Sequence, residues 1–102
     1  MSDLHTVNKS PFEKNSLETC LRLSQDGSTI LLYEDAVYAA LQGTAVTDMV
    51  VATAGSKKIC VLGPDYKARG LNEANMIDGV EVVDYAGFVD LVEANDKVQA
   101  WV

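Results

Sequence analysis

Apolar residues run along this chain in short blocks, alternating with stretches in which they recur every three or four positions. Short blocks that are apolar on both faces predict strands of a covered parallel sheet, and the wider spacing predicts amphipathic helices. Leu4 to Val7 reads as a first strand. Asn8-Lys9-Ser10-Pro11 follows as a turn. Ser10 is placed to cap a helix with Pro11 at its first position, and Glu13, three residues on, completes a capping-box pattern. That helix is expected to run to about Gln25 and to stop before Asp26-Gly27. Thr29 to Tyr33 predicts a second strand, and Glu34 or Asp35 opens a short helix over AVYAALQ that ends at Gly43. Residues 46–54 fit a short helix or an irregular turn. Lys58 to Leu62 predicts a third strand, closed by Gly63-Pro64-Asp65 and a brief helical turn to Gly70. Val80 to Val83 predicts a fourth strand, after which Asp84 leads into the helix YAGFVDLVEAN. Lys97 to Val102 either adds an edge strand or docks against a partner.

Strands alternating with helices across short loops predict an α/β fold, a small single-domain parallel sheet with helices on both faces and right-handed crossovers. Ligands of such sheets gather at the carboxyl ends of the strands. Here those ends are Asn8-Lys9-Ser10, Glu34-Asp35, Gly63-Pro64-Asp65 and Asp84-Tyr85, and none carries a histidine or cysteine. Neither GxGxxG nor GxxxxGK[ST] occurs, so nucleotide binding has no support.

The chain has 102 residues, consistent with one domain, and 48% of them are apolar, too many for a disordered protein. Fifteen acidic residues against eight basic ones give a net charge of −7, which argues against direct contact with nucleic acid. The opening residues lack the basic and apolar regions of a signal peptide, and no apolar run approaches a membrane span. Two cysteines without a CxxC or zinc-like cluster are simplest as free thiols in the cytoplasm, although a Cys20–Cys60 disulfide stays open.

Cys20 is the leading candidate for chemistry. On a helix it shares an arc with Leu17, Leu21 and Ser24, with Leu23 at the margin and Arg22 outside it. A cysteine on an apolar face is more often a small buried hydrophobe than a reactive thiolate. Cys60, inside a continuous apolar strand, reads as core, and the single histidine, His5, as a satisfied strand or interface residue. Lys9 is the one cation near a strand end and reads as a solvated loop lysine. Trp101, close to the carboxyl terminus, reads as an anchor for an interface.

Beyond these single positions, the string LHTVNKSPFEKNSLETCLRL resembles the opening of the DsrH family, sulfur-oxidiser relatives of the TusB subunit of tRNA-thiolation relays. LLYEDAVYAAL, VLGPDYKARGL, VVDYAGFVDLV and the closing QAW agree with it in order, so the resemblance covers nearly the whole chain. It implies a DsrE/DsrF/DsrH-like fold and a cytoplasmic heterohexamer with DsrE-like and DsrF-like subunits. Such an assembly passes persulfide sulfur to a small DsrC/TusE-like acceptor protein. It implies no cofactor and no metal, since thiolate attack on a sulfane sulfur suffices. The cysteine of the first helix belongs to the DsrH motif, and Cys20 occupies that position, which tilts the expectation toward dissimilatory sulfur oxidation. The principal persulfide cysteine belongs to the DsrE/TusD subunit, whose motif this chain does not match. Cys20 is thereby a secondary relay thiol, or the subunit is a non-catalytic scaffold. Synthesis of 2-thiouridine at the tRNA wobble position is the other pathway.

Overall fold

The computed structural model describes residues 3–102. Five strands form one all-parallel sheet: β1 (Asp3–Val7), β2 (Thr29–Leu32), β3 (Lys58–Leu62), β4 (Val80–Val83) and β5 (Lys97–Trp101), in the order β4-β3-β2-β1-β5. Four α-helices connect them: α1 (Ser16–Leu23), α2 (Thr47–Ala54), α3 (Gly63–Ala68) and α4 (Tyr85–Ala94), with 3-10 turns at Glu34–Ala40 and Glu73–Asn75.

The connections from β1 through β4 step outward strand by strand on one face. There Val7, Ile30, Leu32, Ile59 and Val61 pack under Leu17, Cys20 and Leu21 of α1, Val50 of α2 and Tyr66 of α3. The link from β4 to β5 travels the other way, from one edge of the sheet past β1. Right-handedness of the crossover then places its helix on the opposite face. α4 accordingly lies there, with Phe88 and Leu91 over Leu4, Leu31 and Cys60. Helices do cover both faces, but very unequally.

The first helix starts later than its capping pattern predicts. Residues 11–13 form a separate turn in which the Glu13 and Lys14 N–H groups donate to the Ser10 carbonyl and the Phe12 N–H donates to Ser10 Oγ. The run Phe12 to Asn15 is exposed, and burial begins only at Leu17. Phe12, the large apolar side chain of that turn, stays 54% exposed, so the turn finds no packing on the sheet that would draw it into the helix. α1 ends at Leu23, before Gln25, and Gly27 turns the chain with a φ of +87°. The AVYAALQ segment is also tighter than expected, a 3-10 rather than an α-helix, with Ala36, Val37, Ala39 and Ala40 all buried. Residues 46–54 resolve into α2, and the final segment forms β5 as an edge strand against β1.

One buried cation ties the first layer down. Lys57 precedes β3, is 9% exposed, and its Nζ donates to the Leu21 carbonyl of α1 at 2.6 Å. A cation at a helix carboxyl end answers both the orphan carbonyl and the helix dipole. Lys57→Ala is expected to lower stability by about 2 kcal/mol, because it leaves that carbonyl unpaired and opens space beside it. Urea unfolding followed by far-ultraviolet circular dichroism checks this. An unchanged midpoint refutes the tie.

Candidate functional site

Parallel strands bring their carboxyl ends to one rim, and the polar residues of the loops meet there. Glu34 has a φ of +49°, the only left-handed non-glycine conformation among the described residues. For an ordinary side chain that conformation costs about 1–2 kcal/mol. It is held by the Glu34 N–H, which donates to Asp65 Oδ2 at 2.7 Å. Arg69 closes the group, donating through Nε and Nη2 to Asp35 Oδ1 at 3.1 and 2.9 Å and through Nη1 to the Asp65 carbonyl at 3.2 Å. The two carboxylates, Asp35 and Asp65, are thus engaged in holding the β2 and β3 ends together.

Beside this network, an open cleft of about 690 Å³ lies between the ends of β3 and β4, lined by Gly63, Pro64, Lys67, Val82, Val83 and Asp84. Gly63 permits the close approach of its walls, since a Cβ there would stand 2.9 Å from Val82 Cγ1. Asp84 is occupied as the cap of α4, accepting from the Gly87 N–H at 2.8 Å. Lys67 is exposed and supplies positive charge. The lining contains no thiol and no imidazole, and Lys9 stands exposed in the loop after β1.

The two thiols lie away from this rim and away from each other. Cys20 is fully buried in the first layer, and burial pushes its pKa up to about 12 while Lys57 pulls weakly the other way. Cys60 is fully buried on the α4 side, and burial pushes its pKa up to about 11, with Lys58 opposing and Glu81 reinforcing the rise. The sheet stands between them, and both are free. Among the described residues no three of His, Cys, Asp and Glu are grouped to hold a metal ion.

His5 is paired to a residue at the far end of the sequence. Its Nδ1 accepts from Trp101 Nε1 at 3.0 Å, and the rings lie 6.1 Å apart. Trp101 thus anchors β5 within its own chain, half-buried against the first-layer core. That bond places the imidazole proton on Nε2, which is buried with no hydrogen-bond partner. Nothing in the sequence links positions 5 and 101, which the β1–β5 register brings together.

Burial lowers the His5 pKa below 6.5; Asp3 opposes that shift and Lys57 adds to it. The fold favours neutral imidazole, so its contribution to stability is complete above pH 6.5 and is lost as pH falls through the lowered value. Protonation puts a hydrogen on Nδ1 and removes the acceptor. Fluorescence of the single tryptophan should therefore change on acidification below pH 6.5, and His5→Phe should abolish that transition. An identical acid titration in the variant contradicts the assignment.

The family described as DsrH like protein matches residues 9–98 of the chain. A protein TusB from Pectobacterium parmentieri is 36% identical over 98 residues, covering 96% of this chain and 99% of that protein. A protein TusB from Erwinia tasmaniensis is 37% identical with the same coverage. Among solved structures, the YchN protein from E. coli superposes with a TM-score of 0.81 over 99% of this chain and 100% of that one, at 24% identity. A protein of unknown function from Methanobacterium thermoautotrophicum reaches 0.68 over 96% of each chain, at 15% identity. At these identities the structural likeness speaks for the fold alone.

Proposed function

Because this chain belongs to the DsrH-like family, we propose that it is a subunit of a sulfur-relay complex that completes and shapes the assembly and leaves the carriage of sulfur to its partners. The observation that carries this reading is the placement of the thiols. Persulfide transfer needs a thiolate that reaches a sulfane sulfur. Burial pushes the Cys20 pKa up to about 12, which holds it as the thiol at neutral pH, and its side chain meets no solvent. The open cleft, where a parallel sheet presents its chemistry, offers Lys67 and Asp84 but no sulfur nucleophile.

The partners this reading implies are DsrE-like and DsrF-like subunits, arranged as a heterohexamer, with a DsrC/TusE-like protein as the acceptor. For the pathway, the TusB name of the relatives supports synthesis of the 2-thiouridine of tRNA over dissimilatory sulfur oxidation. The charge of −7 keeps the RNA contact indirect. Two free thiols suit the cytoplasm, and among the described residues no helix is long and apolar enough to cross a membrane. The alternative role, with Cys20 as a relay thiol, requires α1 to lift from the sheet and expose it.

Removing the protein should deplete 2-thiouridine, and Cys20→Ser should restore it. The variant is expected to lose about 1–2 kcal/mol of stability, because a hydroxyl replaces a thiol in an apolar site. Mass spectrometry of the assembled complex after loading with a sulfane donor should show no added sulfur on Cys20. A persulfide there, with failure of Cys20→Ser to deliver sulfur, establishes the relay role instead. Intact 2-thiouridine together with failed sulfur oxidation assigns the other pathway.

A further inference from the structure

The charge of this chain is not spread along it. Residues 70 to 96 contain seven acidic residues and no Lys, Arg or His, while the remainder holds eight acidic and eight basic residues. The whole excess of −7 therefore falls in this one stretch.

The same stretch includes the least covered element of the fold. No residue of α4 is buried. Phe88 and Leu91 turn toward the sheet, but Tyr85, Val89 and Val92 remain 59%, 54% and 40% exposed. At about 100° per residue these three fall within roughly 60° of one another, a stripe along one flank of the helix. Exposed Asp90 and Glu93 lie beyond it on the outer surface. An apolar stripe bordered by charge is the form of a helix that docks against another surface.

We propose that the Tyr85–Val89–Val92 stripe is where another subunit of the relay assembly docks, presenting an apolar surface rimmed by lysine or arginine. This rests on the function proposed above and names the face and the chemistry of the contact. Charge selects the occupant. A second copy of this chain would bring the exposed Asp90 and Glu93 against themselves, which like-charge repulsion opposes. Nucleic acid is repelled for the same reason. A basic-rimmed partner is attracted, and its apolar centre covers side chains that the monomer leaves in water.

The test is co-expression of the full chain with its DsrE-like and DsrF-like partners, with incorporation read by native mass spectrometry and dissociation by dilution at low and high salt. Val89→Arg should weaken incorporation at least tenfold. The double variant Asp90→Lys, Glu93→Lys should weaken it several-fold at low salt and flatten the salt dependence, because rim charges act mainly through screened attraction. The substituted side chains are exposed, so circular dichroism and melting of the variants should match the parent. If Val89→Arg is recovered unfolded, the exposed double variant alone decides. Incorporation of the double variant at parental levels in both salts overturns the docking surface and leaves the functional reading intact. A parent chain that joins no such partner overturns both. A parent chain that dimerises by itself, with Val89→Arg monomeric, overturns the basic partner in favour of a second copy.

Discussion

The edge strand β5 pairs with β1, yet the chain that forms it leaves the sheet at the far edge, after β4. Three outward steps on one face force the single return onto the other. One layer therefore receives α1, α2, α3 and the 3-10 turn at Glu34–Ala40, while its opposite receives α4 alone. Ten residues of helix do not cover five strands. The exposed Val98, the half-covered Phe88 and Leu91 and the exposed flank of α4 follow from that arrangement more than from any weakness of local sequence.

The same asymmetry decides the chemistry of the two cysteines. The crowded layer encloses Cys20 under α1, and the thin layer still shields Cys60 because β3 is a central strand. Low-dielectric surroundings raise both thiol pKa values, and the lysines near them offset only part of the rise. At the strand carboxyl ends the polar residues hold loops together: Asp65 secures the left-handed Glu34, Asp35 engages Arg69 and Asp84 caps α4. Side chains committed to such structural bonds leave the adjoining cleft shaped and charged but without a thiol. The acidic, partly apolar α4 is the least covered helix of the fold.

Strand positions and the α/β class were legible in the residues, because runs such as TILL and KICVL are apolar on both faces and turn signals bound them. The apolar arc through Leu17, Cys20 and Leu21 was legible too, and it pointed to the burial the structure shows. The onset of α1 was not: Ser10, Pro11 and Glu13 satisfy the local rules for a helix start, but capping offers about 1 kcal/mol and the decision falls to packing, which begins at Leu17. Glu34 gave no sign of its left-handed backbone, since its partner Asp65 is distant in sequence.

By itself, the sequence determined the family, the alternation of strands and helices, the acidic excess and the apolar setting of each cysteine, because all of these are properties of composition, order and local period. Tertiary structure alone decided that Trp101 turns inward to His5 instead of outward as an anchor, that Lys57 closes the end of α1, and that α4 covers its face alone. Each of these depends on strand order and crossover hand, which join residues far apart in the chain and leave no local trace in it.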